Sequence, residues 1–350
     1  VKKKFAILSL FLGSLGWTCK NDLDITEDWQ EIPVVFGLLD QSDTAQYIKI
    51  NKAFLGKENA LVMASSYDTI NYGSQLQVVI NEISNNTVLN SWTLQRDTSI
   101  GKPAGVFAYP HQVLYKLASQ PLDPNNEYEL VVTNGETGHQ CRSKTRLVSN
   151  FSAISPYPNQ TINFTIPNSD FHVSWLSAEY GRRYNLVIRF WYTEVNKFTS
   201  VVTEKHIDLQ FPDQLSTSIK GNENMEYAFQ GKTFYTFLRA QLQPNDSVWR
   251  HVGKLSNAAN QLDFIISVAG EDFATYMDIN APSTGILQEK PYFTNIDGGI
   301  GLFSSRFVQK SPWLYNRQLS GASVDSIYAG QYTYDLGFCS TNSQSPYFCN

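Results

Sequence analysis

From Ile32 onward, apolar and polar residues exchange places with a period of two. The pattern holds through Gln46–Phe54, Leu76–Ile83 and Glu127–Thr133, while Ile32–Leu39 is a short apolar run with β-branched side chains. Successive residues of a strand point to opposite faces, so this period predicts strands rather than helices. Polar clusters at Asp40–Asp43 and Ser84–Thr87 punctuate the runs as turns. Short strands separated in this way predict an antiparallel sandwich.

A gathering of Asn, Ser and Pro between Asn150 and Pro158 marks a boundary. Beyond it, Phe171–Trp175 and Tyr184–Tyr192 read as a strand and its partner, with Trp175 a core ring, and Thr199–Gln210 continues the meander. Apolar spacings of three and four predict helices over Lys232–Gln241 and Glu271–Met277. From Ala281 onward, Gly, Ser and aromatic residues predict extended strands and loops. Leu122–Val132 resembles the fibronectin-III and immunoglobulin-like pattern L-x-P-x-x-x-Y-x-L-x-V, which makes Tyr128 a corner residue bonded to upstream backbone. The expected fold is therefore mainly β, with two immunoglobulin/fibronectin-III-like antiparallel sandwich domains. These span residues 32–150 and 151–350, the second elaborated with one or two short helices and a Gly/aromatic-rich C-terminal segment.

Composition narrows the function. Of the 350 residues, 42% are hydrophobic and 17% charged, a globular balance, and the net charge of −5 lacks the basic footprint of a general nucleic-acid binder. The histidines, His111, His139, His172, His206 and His251, form no H-E-x-x-H, and no G-x-S-x-G elbow occurs. Asp297–Gly301 is glycine-rich without a phosphate-loop pattern and reads as a tight turn with no room for side chains. No catalytic residue, metal or cofactor is expected. The competing class is a secreted glycan hydrolase, for which Glu179, Glu194, Asp263 and Asp272 are candidate carboxylates.

The amino-terminal residues carry the most specific signal. Lys2–Lys4 precede an apolar run, Phe5–Leu12, and small residues lead to Cys19. A positive region followed by a short apolar one reads as a signal peptide over residues 1–18. Its ending at Cys19 resembles a bacterial lipoprotein signal, in which that thiol receives a diacylglycerol. Gly16–Thr18 depart from the usual lipobox residues, so an uncleaved or non-lipid signal peptide is the alternative. Residues 19–31 then form an acidic tether. Within it, Lys20, Asp22 and Asp24 resemble the signal that sends Bacteroidetes lipoproteins to the outer face of the outer membrane. No second apolar segment approaches the roughly 18 residues of a membrane-spanning helix. A Cys339–Cys349 bridge would close a short loop, and Cys141 lies in an alternating segment as a strand residue. Thr44, Thr69, Ser247 and Ser326 each follow Asp and precede an aliphatic residue, which resembles the O-glycosylation acceptor of exported Bacteroidetes proteins. About one such match is expected by composition.

Taken together, "VVFGLLD", "YIKINKAF", "EYELVV", "VSW", "YNLVIRFWY" and "YFTNIDGGIGLFSSR" resemble a family of Bacteroidetes surface lipoproteins of the domain-of-unknown-function type. Members are often encoded beside TonB-dependent transporters. The resemblance implies a non-enzymatic outer-membrane lipoprotein whose partner is an integral β-barrel. Two versions stand side by side: an accessory or ligand-capturing subunit of a transporter, and an accessory lipoprotein of an outer-membrane protein assembly or secretion machine.

Overall fold

The period-two stretches are strands, and burial follows the alternation. A computed structural model describes residues 31–53, 59–118, 120–282, 292–309 and 314–349. Cys19 and the Lys20, Asp22 and Asp24 signal lie outside the described residues. The first part of the chain forms β1 (Pro33–Leu39), β2 (Ala45–Lys52), the short helices α1 (Ala60–Ser65) and α2 (Tyr67–Ile70), β3 (Leu76–Ser84) and β4 (Thr87–Thr93). It continues with β5 (Gln95–Asp97), β6 (Leu114–Ala118), β7 (Glu127–Asn134) and β8 (Gln140–Arg146). Next come β9 (Ala153–Ser155), β10 (Asp170–Leu176), β11 (Gly181–Asn196), β12 (Val202–Gln210), β13 (Gln214–Leu215) and β14 (Asn224–Gln230). The chain ends with α3 (Gly231–Gln241), β15 (Val248–Val252), β16 (Leu262–Gly270), α4 (Glu271–Asn280), β17 (Ile300–Val308) and α5 (Gly321–Ala329). No helix among the described residues is long and apolar enough to cross a membrane.

Among the described residues these strands make a ten-stranded sheet, a four-stranded sheet ordered β4-β3-β7-β8, and a three-stranded sheet ordered β14-β10-β9. The four-stranded sheet shares one core with the β1, β2 and β6 part of the large sheet. Val35, Ile48, Ile50 and Tyr115 meet Val78, Ile80, Leu130 and Val132 there. The second core gathers β10, β11, β14, β16 and α3 around Trp175, Phe190, Phe234 and Phe264. Each fully buried side chain of this size contributes roughly 1.5–3 kcal/mol. Tyr128 sits in the first core, its hydroxyl donating to the Asp123 carbonyl at 3.1 Å with the Glu82 carboxylate at 3.2 Å.

The division near residue 150 separates most of the two cores, but the large sheet crosses it. Strand β17 pairs in parallel with β1 and antiparallel with β16, and Ile296 and Phe303 complete the first core. The expected antiparallel arrangement therefore needs one correction at this seam. A parallel pair joins strands far apart in sequence, so no local turn signal announces it. The seam has further fastenings: Arg142 and Asp297 exchange backbone bonds of 2.8 and 2.9 Å, and Asn295 bonds to both the N–H and the carbonyl of Phe303.

Helices α3 and α4 cover the two stretches expected to be helical. Helix α5 corrects the expectation of strands and loops after Ala281. Its residues have modest helix propensity, but Ser320 caps it by accepting from Ser323 N–H, and Ile327 is anchored in the second core. Near the C-terminus, Cys339 and Cys349 form a disulfide across a separation of ten residues. Replacing both with alanine is expected to lower stability by about 2–3 kcal/mol, the chain-entropy value for that loop. Denaturant titration of the oxidised protein and the double variant measures this; identical midpoints would count against a stabilising bridge.

Candidate functional site

Strands β1 and β2 build a pocket on the face turned away from the first core. Val35, Ile48 and Ile50 are buried inward, so alternation sends Val34, Phe36, Lys49 and Asn51 to the opposite face. The antiparallel register sets Phe36 directly against Lys49 and Val34 against Asn51. Helix α2 supplies one wall: Asn51 Nδ2 donates to the Ile70 carbonyl at 2.9 Å and to Asn71 Oδ1 at 3.1 Å. The loop carrying Lys102, Phe107, Ala108 and His111 supplies the other. That loop is pinned by backbone bonds from Lys102 N to Pro110 O (2.8 Å) and from Ala108 N to Ala64 O (3.0 Å). The enclosed volume is about 320 Å³, at the small end of ligand cavities.

The electrostatics are one-sided. Lys49, Lys52, Lys102 and His111 line the pocket, and no Asp or Glu among the described residues does. Lys52 bonds the Asp68 carbonyl and lies over the Tyr72 ring, and Lys102 lies over the Phe107 ring. Burial, then repulsion from Lys102, holds the Lys49 ammonium below its ordinary pKa. The site thus offers ammonium and amide donors beside an apolar wall, which is chemistry for recognition. Exposed Leu61, Val62, Val106 and Tyr109 extend the apolar surface on α1 and the pinned loop.

The residues singled out from the sequence lie elsewhere. Glu194 is ion-paired with Arg250 and Lys205, while Asp263 accepts from Trp191 Nε1 at 2.6 Å and from Asn316 N–H at 2.7 Å. Asp272 accepts from Asn295, and Glu179 is exposed in the loop after β10. These four carboxylates occupy separate elements, each with its own surroundings. Trp175 is fully buried in the second core. Thr44 is exposed in the β1–β2 turn; Thr69 and Ser247 are half-buried; Ser326 lies on α5 and donates to the Ala322 carbonyl. Cys141 is a buried free thiol on β8, pushed up to about 12 first by burial and then by Glu31 and Asp297.

Two groupings were missed by sequence reasoning. The fold brings His251 beside Cys339 and Cys349, a cluster of metal-ligand type whose sulfurs are already bonded to each other. The pocket itself was missed too, although Lys49 between buried Ile48 and Ile50 in "YIKIN" signals a cation on the outer face.

No protein-family model and no curated protein matches this chain. Three solved structures are distantly similar. A cytokine receptor complex is 10% identical over 82% of this chain and 96% of that one, with a TM-score of 0.21. The C-terminal globular domain of an oligosaccharyltransferase from Pyrococcus abyssi is 10% identical over 62% of this chain and 44% of that one, with a TM-score of 0.22. Trypsin-activated alpha-2-macroglobulin from Escherichia coli is 11% identical over 69% and 14%, with a TM-score of 0.18. Likenesses this weak carry no argument about fold or function.

Proposed function

We propose that the chain is a non-enzymatic, lipid-anchored binding subunit of an outer-membrane complex, with the β1–β2 pocket as its binding site. The pocket is the observation that carries this reading. A ligand-capturing partner of a TonB-dependent transporter needs a concave site with a few placed polar groups, whereas an assembly scaffold needs a broad apolar face. The walls of Val34, Phe36, Ile70 and Phe107 and the amides of Asn51 and Asn71 supply the former. In this reading Cys19 is the anchor, Lys20, Asp22 and Asp24 direct the chain to the cell exterior, and the acidic tether sets the pocket away from the bilayer. The Tyr128 corner and the two-sheet first core support an immunoglobulin/fibronectin-III-like identity for that unit.

Purification of the native protein from detergent-solubilised membranes tests the proposal. The expected result is near-stoichiometric recovery of an integral β-barrel transporter, and Cys19→Ala should move the protein out of the membrane fraction. Recovery of an assembly barrel instead would transfer the protein to that machine. Recovery of the intact protein alone would defeat both versions.

A further inference from the structure

The pocket has a charge problem that the chain does not solve with its own described residues. Lys49, Lys52 and Lys102 converge on it, yet none of the three makes an ion pair among the described residues. Several partly buried cations elsewhere are matched: Arg250 has Glu194, Arg189 has Asp208, and Lys254 has Asp263. A second cleft of about 270 Å³ shows the same self-compensation, with Lys144 and Arg146 facing a lining that includes Glu127, Glu271 and Asp272. Half-buried ammonium groups that face each other repel, and a counter-charge entering from solvent relieves both the repulsion and the desolvation. Next to these cations, Val34, Phe36, Ile70 and Phe107 present apolar surface that water covers poorly.

We propose that the pocket binds a small anionic amphiphile, its acid group between Lys49 and Lys102 and its aliphatic or aromatic body against Val34, Phe36, Ile70 and Phe107. The volume limits that body to a short chain or a single ring system. Asn51 Nδ2 is already committed to Ile70 and Asn71, so the ammonium groups are the charged donors for the acid. Lys52 adds positive charge at the pocket and raises the local concentration of anions. This inference rests on reading the pocket as the binding site of a binding subunit, and it names the ligand class.

Calorimetric titration of the purified chain with octanoate, octanol and octyltrimethylammonium tests it, since the three share one apolar body. Octanoate is expected to bind at least about tenfold more tightly than either analogue and to weaken as salt rises. Lys49→Gln combined with Lys102→Gln should remove that preference, and Lys49→Arg with Lys102→Arg should retain it. Equal binding of octanoate and octanol would overturn the assignment, because the pocket would then be merely apolar. So would an octanoate preference that survives the double glutamine variant, or no binding of any probe. A transporter that co-purifies with a chain indifferent to octanoate would remove the ligand class and leave the proposed function standing.

Discussion

Gly301→Ala is expected to cost at least about 3 kcal/mol, a large effect for a single added methyl group. Gly301 has φ +115°, a conformation that side chains rarely adopt, and it pairs with Val35 in the parallel seam between β17 and β1. A Cβ placed there would lie 2.0 Å from the Val35 carbonyl oxygen. That oxygen belongs to backbone, so no rotamer change makes room, and the two strands must part along a seam that closes the first core. Gly321→Ala is the control. Its φ is not positive and nothing lies within 4 Å of an added Cβ at the start of α5, so its stability should change by under about 1 kcal/mol. Guanidinium unfolding midpoints compare the two. A Gly301→Ala midpoint equal to that of the parent protein would contradict this account of the seam.

Glu194→Gln is expected to lose about 3–5 kcal/mol, since it strips the counter-charge from a buried guanidinium. Only 5% of the Arg250 side chain is exposed; its Nε donates to Glu194 at 2.9 Å, and its Nη1 donates to the carbonyls of Gln243 and Leu336. Those carbonyls bear no net charge, so they cannot replace the carboxylate. Arg250→Met together with Glu194→Leu removes both charges and should cost less than Glu194→Gln alone. The same pair sets an acid limit. Burial acts to raise the Glu194 pKa, but the bonds and charges of Lys205 and Arg250 outweigh it and hold the carboxyl below its ordinary 4.5. A depressed folded value means the contribution is complete above the unfolded pKa and is lost as pH falls through the folded one. Stability measured from pH 7 downward should therefore fall below about pH 4.5, and Glu194→Gln should flatten that fall. An unchanged acid slope in the variant would remove Glu194 from the explanation.

What the sequence made legible follows from range. The strand at Glu127–Asn134 and the corner at Tyr128 were readable because alternation and the L-x-P-x-x-x-Y spacing are local. Helices α3 and α4 were readable for the same reason. Helix α5 was not, because its stability comes from the Ser320 cap and the burial of Ile327 among distant residues rather than from propensity. The β1–β17 pairing joins residues more than two hundred and fifty positions apart, and periodicity contains no information about which strand lies beside which. The pocket falls between these cases. Its Lys49 and Phe36 are placed by strand alternation, but only the register that sets them opposite each other, and a loop from sixty residues further on, makes a cavity. The carboxylates considered for catalysis illustrate the converse. Glu194 and Asp263 pair with Arg250 and Lys254, a role composition alone does not distinguish from chemistry.

The seam also dictates an order of events in time. The first core includes Ile296 and Phe303, which are made long after the last of its other members, Leu147. Until then β1 has no partner on its β17 side, and the lining of the first core is incomplete. Residues 31–150 thus cannot reach their final packing before β17 is made, however early their local turns form. A chain delayed in this way stays pliable until that strand is in place. The strand that closes the sheet acts as a latch thrown late.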